Sequence, residues 1–281
     1  MSTRLSDHAR NTYSQFGEDG IIEAALDFLA NRDKWCVEFG AWDGIHLSNT
    51  RELIERQGYS AVMIEANRRR FHDLSEAHKG NAKIIPINAA VGFTEKDSLD
   101  VLLAGTAIPK DFDFLSIDID GNDYHAWKAV TAYTPKLICI EYNPWIPTEL
   151  EFVQPADPKT QQGSSLRSLV ELGKEKGYEL IAVTYCNAFF VRRAFFSLFG
   201  IVDNRPETLR EDRSSVTYVF FGYDGTMFVR GRGLMGHHSN ITVNARIRQL
   251  PSIFRKLPDF SPTRNFLYRL YCAISRRLGR A

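Results

Sequence analysis

Between residues 34 and 142, short unbroken apolar runs alternate with stretches in which apolar residues return every three or four positions. The runs are Lys34–Phe39, Ser60–Glu65, Lys83–Ile87, Phe112–Asp118 and Lys136–Tyr142, and each stops at a turn or an acid. Ser48–Arg56, Arg68–His78 and Tyr124–Ala132 carry helical spacing between them. Strands this apolar, separated by helices, are expected to be parallel and covered on both faces. Ahead of them, Ile21, Ile22, Ala25, Leu26 and Leu29 fall on one face of a helix over Glu18–Ala30, with Glu18 and Asp19 in the first turn, where the helix dipole favours acids.

Asn143–Gly163 is a Pro-rich, acidic loop, longer than a connector needs and of the length used for lids and binding loops. Ser164–Lys176 reads as a helix capped by Ser164 or Ser165 and stopped by Gly177. Tyr178–Thr184 and Asn187–Arg193 read as strands close enough for a hairpin. Five parallel strands, a helix and a closing hairpin predict an α/β fold: a doubly wound, mostly parallel, seven-stranded Rossmann-like sheet of the class I methyltransferase kind. Beyond Phe199 the pattern degrades. Val216–Gly222 has strand character, Gly225–Gly236 is glycine-rich and basic, and Pro251, Pro258 and Pro262 interrupt the rest. The expected organisation is a lead and helix over residues 1–33, the main domain over 34–225, and an irregular basic C-terminal extension over 226–281.

Charge sharpens that division. The chain is nearly neutral at +1, yet residues 226–281 hold eleven Arg and Lys against one acid, Asp259. Within this tail Phe266, Leu267, Leu270, Tyr271, Ile274 and Leu278 share a helical face, with Arg264, Arg269, Arg276, Arg277 and Arg280 among or after them. Docking against the body of the protein or a second subunit is the plainer expectation for such a helix, and contact with an anionic membrane surface is the alternative. Nucleic acid is not expected, because Arg230, Arg232, Arg246 and Arg248 lack interleaved aromatics for base stacking. Cys36, Cys139, Cys186 and Cys272 form no C-x-x-C pair, and the first two lie inside apolar runs, as small core residues do. With no apolar leader and no membrane-length apolar run, the expected home is the cytoplasm, with the inner membrane face as the place for any tail contact.

Open parallel sheets bind ligands at the carboxyl ends of their strands. The first strand ends in Glu38-Phe39-Gly40-Ala41-Trp42-Asp43-Gly44, and the second ends in Glu65, placed to accept hydrogen bonds from a ribose diol. A nicotinamide dinucleotide needs glycine where Trp42 stands, and its phosphates would be repelled by Glu38 and Asp43. S-adenosylmethionine carries a sulfonium and an ammonium and no phosphate, so the same acids favour it. Glu38, Gly40, Asp43, Gly44, Glu65 and Asp118 are therefore the candidate cofactor residues, with Asn88 near the adenine.

The densest polar cluster runs from Ser116 to Trp127 and includes Asp118, Asp120, Gly121, Asn122, Asp123 and His125. Glu141 and Asn143 end the neighbouring strand. Asp118, Asp120, Glu141 and Asn143 form an oxygen-rich set suited to Mg²⁺ or Mn²⁺, which would acidify an acceptor hydroxyl. Asp118 and Asp120 are the candidate catalytic carboxylates and His125 the candidate base. Asn122 and Asp123 also suit a helix cap, and a lone helical His often faces solvent.

Through Ser14-Gln15-x-Gly17-Glu18-Asp19-Gly20-Ile21, the Val37–Gly44 turn, Ile64-Glu65-Ala66, Ile117-Asp118-Ile119-Asp120-Gly121 and Asn187-Ala188-Phe189-Phe190-Val191, the chain resembles the FkbM-type methyltransferases over roughly residues 11–225. The resemblance implies S-adenosylmethionine-dependent O-methylation of sugars or natural products, commonly in surface-polysaccharide pathways, with a small-molecule or lipid-linked glycan as acceptor. It implies that Glu38 and Gly40 serve the methionine side, Glu65 the ribose, and Asp118 the fourth-strand position. Trp42-Asp43 in the turn and Asp120 where Glu is frequent depart from the commoner family form. The competing readings are a nicotinamide-dependent oxidoreductase and a non-catalytic glycan-binding or scaffolding protein. The Ser14–Asp19 segment is expected either to close over the ligands or to be only a helix start.

Overall fold

The computed structural model describes residues 4–223, 227–230 and 262–277. It divides into two compact units, Met1–Arg213 and Ser214–Ala281.

In the first unit the strands are β1 (Trp35–Phe39), β2 (Ser60–Ile64), β3 (Ile84–Ile87), β4 (Phe114–Ile117), β5 (Leu137–Glu141), β6 (Tyr178–Val183) and β7 (Asn187–Arg192). They form one sheet in the order β3-β2-β1-β4-β5-β7-β6. The first five are parallel; β7 runs antiparallel between β5 and β6. The mostly parallel seven-stranded sheet expected from the apolar runs is thus present. The order reverses at β1 and β4, the switch point at which open sheets bind ligands.

Both faces of the strands are covered, which is why their sequences do not alternate. Val37, Phe39, Val62, Ile64, Leu115, Ile117, Ile138 and Ile140 pack on one side with α4 (Leu99–Leu103), α5 (Asp123–Ala129) and α6 (Leu166–Glu175). Cys36, Ala61, Met63, Phe114, Leu137 and Cys139 pack on the other with α1 (Glu18–Asp27), α2 (Arg51–Gln57) and α3 (Arg68–Ala77). Cys36 and Cys139 are fully buried thiols, as their apolar surroundings predicted. Ser165 caps α6 by accepting from the Ser168 N–H at 3.2 Å, and Gly177 follows its end at φ +79°. The crossover helix α4 has no counterpart in the sequence reading. Five residues are too few to show a helical period.

At the amino end of the sheet, Lys136 Nζ donates to Asp113 at 2.6 Å and to Asp33 at 2.9 Å, joining the entries to β5, β4 and β1. Asp113 also accepts from the N–H groups of Asp33 and Lys34.

The second unit contains a hairpin of β8 (Tyr218–Phe221) and β9 (Met227–Arg230) and the helix α7 (Pro262–Arg277). The amphipathic helix expected in the tail forms, with Phe266, Leu267, Leu270, Tyr271 and Ile274 exposed. Arg232, Arg246, Arg248, Leu278 and Arg280 lie outside the described residues, as do Pro251 and Pro258 and most of Gly225–Gly236. Among the described residues no helix is long and apolar enough to cross a membrane.

Candidate active site

The β1 turn is built by hydrogen bonds rather than by apolar packing. Gly40 has φ +81°, and a Cβ there would lie 1.6 Å from the Asp118 carbonyl oxygen, so only glycine lets β1 and β4 end this close together. The N–H groups of Gly40 and Ala41 both donate to the Ile64 carbonyl at 3.1 Å, tying the turn to β2. Trp42 follows at φ +50°, half exposed, with the Arg70 guanidinium 3.4 Å from its ring centroid. Asp43 Oδ1 accepts from the N–H groups of Ile45 and His46 at 2.9 and 2.7 Å. Burial pushes the Asp43 carboxyl up, but these backbone donors outweigh it and leave its pKa lowered. Gly44 closes the turn at φ +69°, with His78 Nε2 3.3 Å from its carbonyl.

Glu38 is buried, and its carboxylate is claimed by the chain itself. Ser48 Oγ and Thr50 Oγ1 donate to Oε2 at 2.6 and 2.7 Å, and the Asn49 N–H donates to Oε1 at 2.8 Å. Asn49 Nδ2 continues the network to Ser116 Oγ on β4 at 3.1 Å. Burial raises the Glu38 pKa, and these donors offset only part of that rise. Glu38 therefore sets the path of residues 48–50 into α2. Glu65 is also buried: Oε2 accepts from the Trp42 N–H at 2.9 Å and Oε1 from the Asn67 N–H at 2.6 Å. Asn88, expected beside an adenine, donates from Nδ2 to the Glu65 carbonyl at 2.8 Å and so fixes the end of β2.

Asp118, Asp120 and Glu141 come together as expected, with one carboxylate oxygen from each lying within 4.8 Å of the others. Asp118 and Glu141 are half-buried and end neighbouring strands. Asp120 is exposed and held at φ +57°. That conformation is fixed by Asp123, whose carboxylate accepts from the N–H groups of Ile119 and Gly121, both at 2.9 Å. Asp123 thus reaches back to shape the turn. Burial first, and then the charges of Asp123 and Asp120, push the Asp118 pKa well above the carboxylate range. Burial and the charge of Asp118 do the same to Glu141, and Asp123 is pushed up to about 6.

Two candidates have other work. Asn143 donates from Nδ2 to the Gln162 carbonyl at 2.7 Å and accepts at Oδ1 from the Trp145 N–H at 2.9 Å, bracing the long loop at both ends of its amide. His125 Nε2 lies 2.8 Å from the Gln154 carbonyl. A carbonyl only accepts, so Nε2 carries the proton and Nδ1 alone is left for the base role expected of the ring.

The loop over residues 143–163 packs onto the acidic turn. Asn122 Nδ2 donates to the carbonyls of Asp157 and Thr160, and the buried Gln154 side chain accepts from the N–H groups of Gln162 and Gly163. Arg210, buried, donates to the Ile146 carbonyl and to Thr148 Oγ1. Gln154, Arg210 and the Ser48–Thr50 clamp escape sequence reasoning because their partners lie at irregular separations. Polarity at buried positions was the only available signal.

The Ser14–Asp19 segment reaches the same end of the sheet. Asp19 Oδ2 accepts from the N–H groups of Thr12, Tyr13 and Ser14, winding the segment around one carboxylate. Glu18 Oε1 accepts from Thr184 Oγ1 at 2.8 Å and from Asn187 Nδ2 at 3.2 Å. Asn187 is the register partner of Glu141. The segment is a helix start and a strap across the β6–β7 turn at once.

No known family profile and no curated protein matches the chain. Among solved structures, the N-terminal domain of EvdMO1, described in the presence of SAH and D-fucose, is 14% identical over 62% of this chain and 82% of its own, with a TM-score of 0.42. A SAM-dependent methyltransferase from Aquifex aeolicus is 10% identical over 62% of this chain and 88% of its own, with a TM-score of 0.37. The glycopeptide N-methyltransferase MtfA complexed with SAM is 11% identical over 60% and 85%, with a TM-score of 0.35. By its own strand order, with β7 reversed between β5 and β6, the first unit has the class I methyltransferase fold.

Proposed function

We propose that the protein is an S-adenosylmethionine-dependent O-methyltransferase acting on a hydroxyl of a sugar or glycan. One observation carries the reading: at the carboxyl ends of a class I sheet Asp118, Asp120 and Glu141 bring one carboxylate oxygen each within 4.8 Å of the others, with Glu38 buried under the neighbouring turn. Such a site repels phosphate and gains from a sulfonium, an ammonium or a metal cation. The donor set fits the cofactor: Gly40 and Ala41 would form the close-approach turn, Glu65 would hold the ribose, and Asn88 would brace the end of β2 through the Glu65 carbonyl.

When bound, S-adenosylmethionine supplies an electrophilic methyl group, which passes to the acceptor oxygen while its sulfur keeps the bonding pair. Glu38 holds the turn and residues 48–50 in place beneath it. Asp118, at the end of β4 beside Asp120 and Glu141, is placed to take the hydroxyl proton. Asp120 and Glu141, with Asp118, would hold Mg²⁺ or Mn²⁺, a charge that lowers the pKa of the hydroxyl. His125 ties the 143–163 loop to α5 through the Gln154 carbonyl.

Calorimetric titration tests the reading: S-adenosylmethionine is expected to bind and NAD is not. With binding shown, methyl transfer to candidate glycans should fall about 100-fold or more in Asp118→Ala. Transfer at the wild-type rate in that variant would defeat the assignment of the site.

A further inference from the structure

Beside the acidic strand ends the first unit has an open cleft of about 460 Å³, a volume typical of small-molecule sites. Asn11, Gln15 and Phe16 of the strap form one wall, Tyr185 of the β6–β7 turn faces them, and Glu211 and Asp212 close the rim. Its position relative to the chemistry follows from Glu18. The Phe16 N–H donates to Glu18 Oε2 at 2.6 Å, while Thr184, also in the wall, donates to Oε1. Through Asn187, the same carboxylate is one strand pair from Glu141. The cleft therefore shares Phe16 and Thr184 with the hydrogen-bond network of Glu18, whose third donor, Asn187, is the register partner of Glu141.

The wall also selects for chemistry. Phe16 and Tyr185 meet at a 37° tilt with ring centroids 4.8 Å apart, an aromatic patch against which the C–H groups of a sugar ring can pack. The cation in the wall, Arg10, is already shared between Glu23 at 2.6 Å and Glu52 at 3.1 Å. Glu211 is paired with Arg4 at 2.8 Å, and Asp212 adds a further negative charge. A phosphate or carboxylate entering here would meet the carboxylates of Glu211 and Asp212 and would have to compete with Glu23 and Glu52 for the arginine in the wall. The exposed Gln15 side chain offers a neutral donor and acceptor to hydroxyl groups.

We propose that this cleft is the acceptor subsite and that it takes a neutral glycoside, a sugar ring bearing neither phosphate nor carboxylate. The role of acceptor rests on the methyl-transfer reading, whereas the preference for a neutral ring rests on the cleft alone. Saturation-transfer NMR on the full chain, without cofactor, tests it with methyl β-D-glucopyranoside and methyl α-L-rhamnopyranoside as neutral probes and glucuronate and glucose 6-phosphate as anionic ones. The neutral probes should take up saturation and the anionic ones should not. Tyr185→Ala should weaken the neutral signal about fivefold, the worth of one lost aromatic contact. Gln15→Ala, a change at an exposed position, should weaken it about twofold without touching the fold. Equal saturation of neutral and anionic probes, no saturation of any, or a neutral signal unchanged in both variants would overturn the proposal. If neutral probes bind through the cleft while S-adenosylmethionine fails to bind in calorimetry, the methyl-transfer reading falls and the glycoside site stands.

Discussion

A single methyl group at residue 40 would meet the Asp118 carbonyl oxygen at 1.6 Å, in a backbone conformation, φ +81°, that side chains disfavour. Both faults act where the turn after β1 passes closest to the end of β4. Gly40→Ala is expected to cost about 3 kcal/mol or more of stability and to abolish S-adenosylmethionine binding. Urea unfolding followed by calorimetry checks this; a variant as stable as the parent would show that the turn relaxes without cost. At this scale the sequence was informative where a residue type is forced by its place. Glycine after Glu38 and acids closing apolar strands are such places. It was silent on partners. Nothing in Ser48-Asn49-Thr50 announces that all three donate to Glu38, because the contact spans ten to twelve residues of loop with no period.

Elements were legible when burial gave them a pattern. The five parallel strands bury both faces, so their runs are continuous, and the hairpin β6–β7 shows two such runs with a tight join. Helix α4 was missed because five residues do not complete two turns, and the ties that hold the 143–163 loop are side-chain to backbone bonds with no local signature. Opposite the candidate site, Lys136 joins three strand entries, and its environment yields a further expectation. Burial pulls the Lys136 ammonium down, but hydrogen bonds and charges from Asp113 and Asp33 outweigh it and leave its pKa above the ordinary 10.5. A base held above its unfolded value contributes stability that is fully present below that value and is lost as pH rises through the folded one. Wild-type stability should therefore fall from about pH 10.5 upward by a step that Lys136→Met lacks. At pH 7 the same variant should be weaker by about 3–5 kcal/mol, because Asp113 is left fully buried without its partner. Denaturant titrations of both proteins at pH 7 and across the alkaline range measure the two effects. Equal stability at pH 7 would mean that the bridge is only a surface pairing.

Taken whole, the chain separates charge along its length, with the acids concentrated before residue 226 and a basic tail after it. Within the first unit, acids are again concentrated, at the carboxyl end of the sheet. That crowding is unfavourable unless a cation is bound. Asp118 and Glu141 have folded pKa values raised well above the carboxylate range by burial and by their neighbours. The sign is the reverse of a salt-bridged acid: their contribution to stability is fully present below the unfolded pKa and is lost as pH rises through the folded one. The unliganded protein should accordingly lose stability as these groups ionise. Binding to the native state alone stabilises it by about 2.7 kcal/mol at one hundred times Kd, or roughly 5–10 °C in Tm for a unit of this size. If Mn²⁺ occupies Asp118, Asp120 and Glu141, its stabilisation should grow from pH 5 to pH 8, because the ion has to displace the protons that burial holds on these carboxyls. Glu141→Gln should flatten the loss of stability of the metal-free protein as pH rises, since it removes a group whose ionisation is opposed by burial, and should shrink the Mn²⁺ shift. Thermal unfolding with EDTA or Mn²⁺ at the two pH values separates these effects without an activity assay. An Mn²⁺ shift that is absent at both pH values, or unchanged by Glu141→Gln, would remove the metal from the mechanism and leave Asp118 to take the proton unaided.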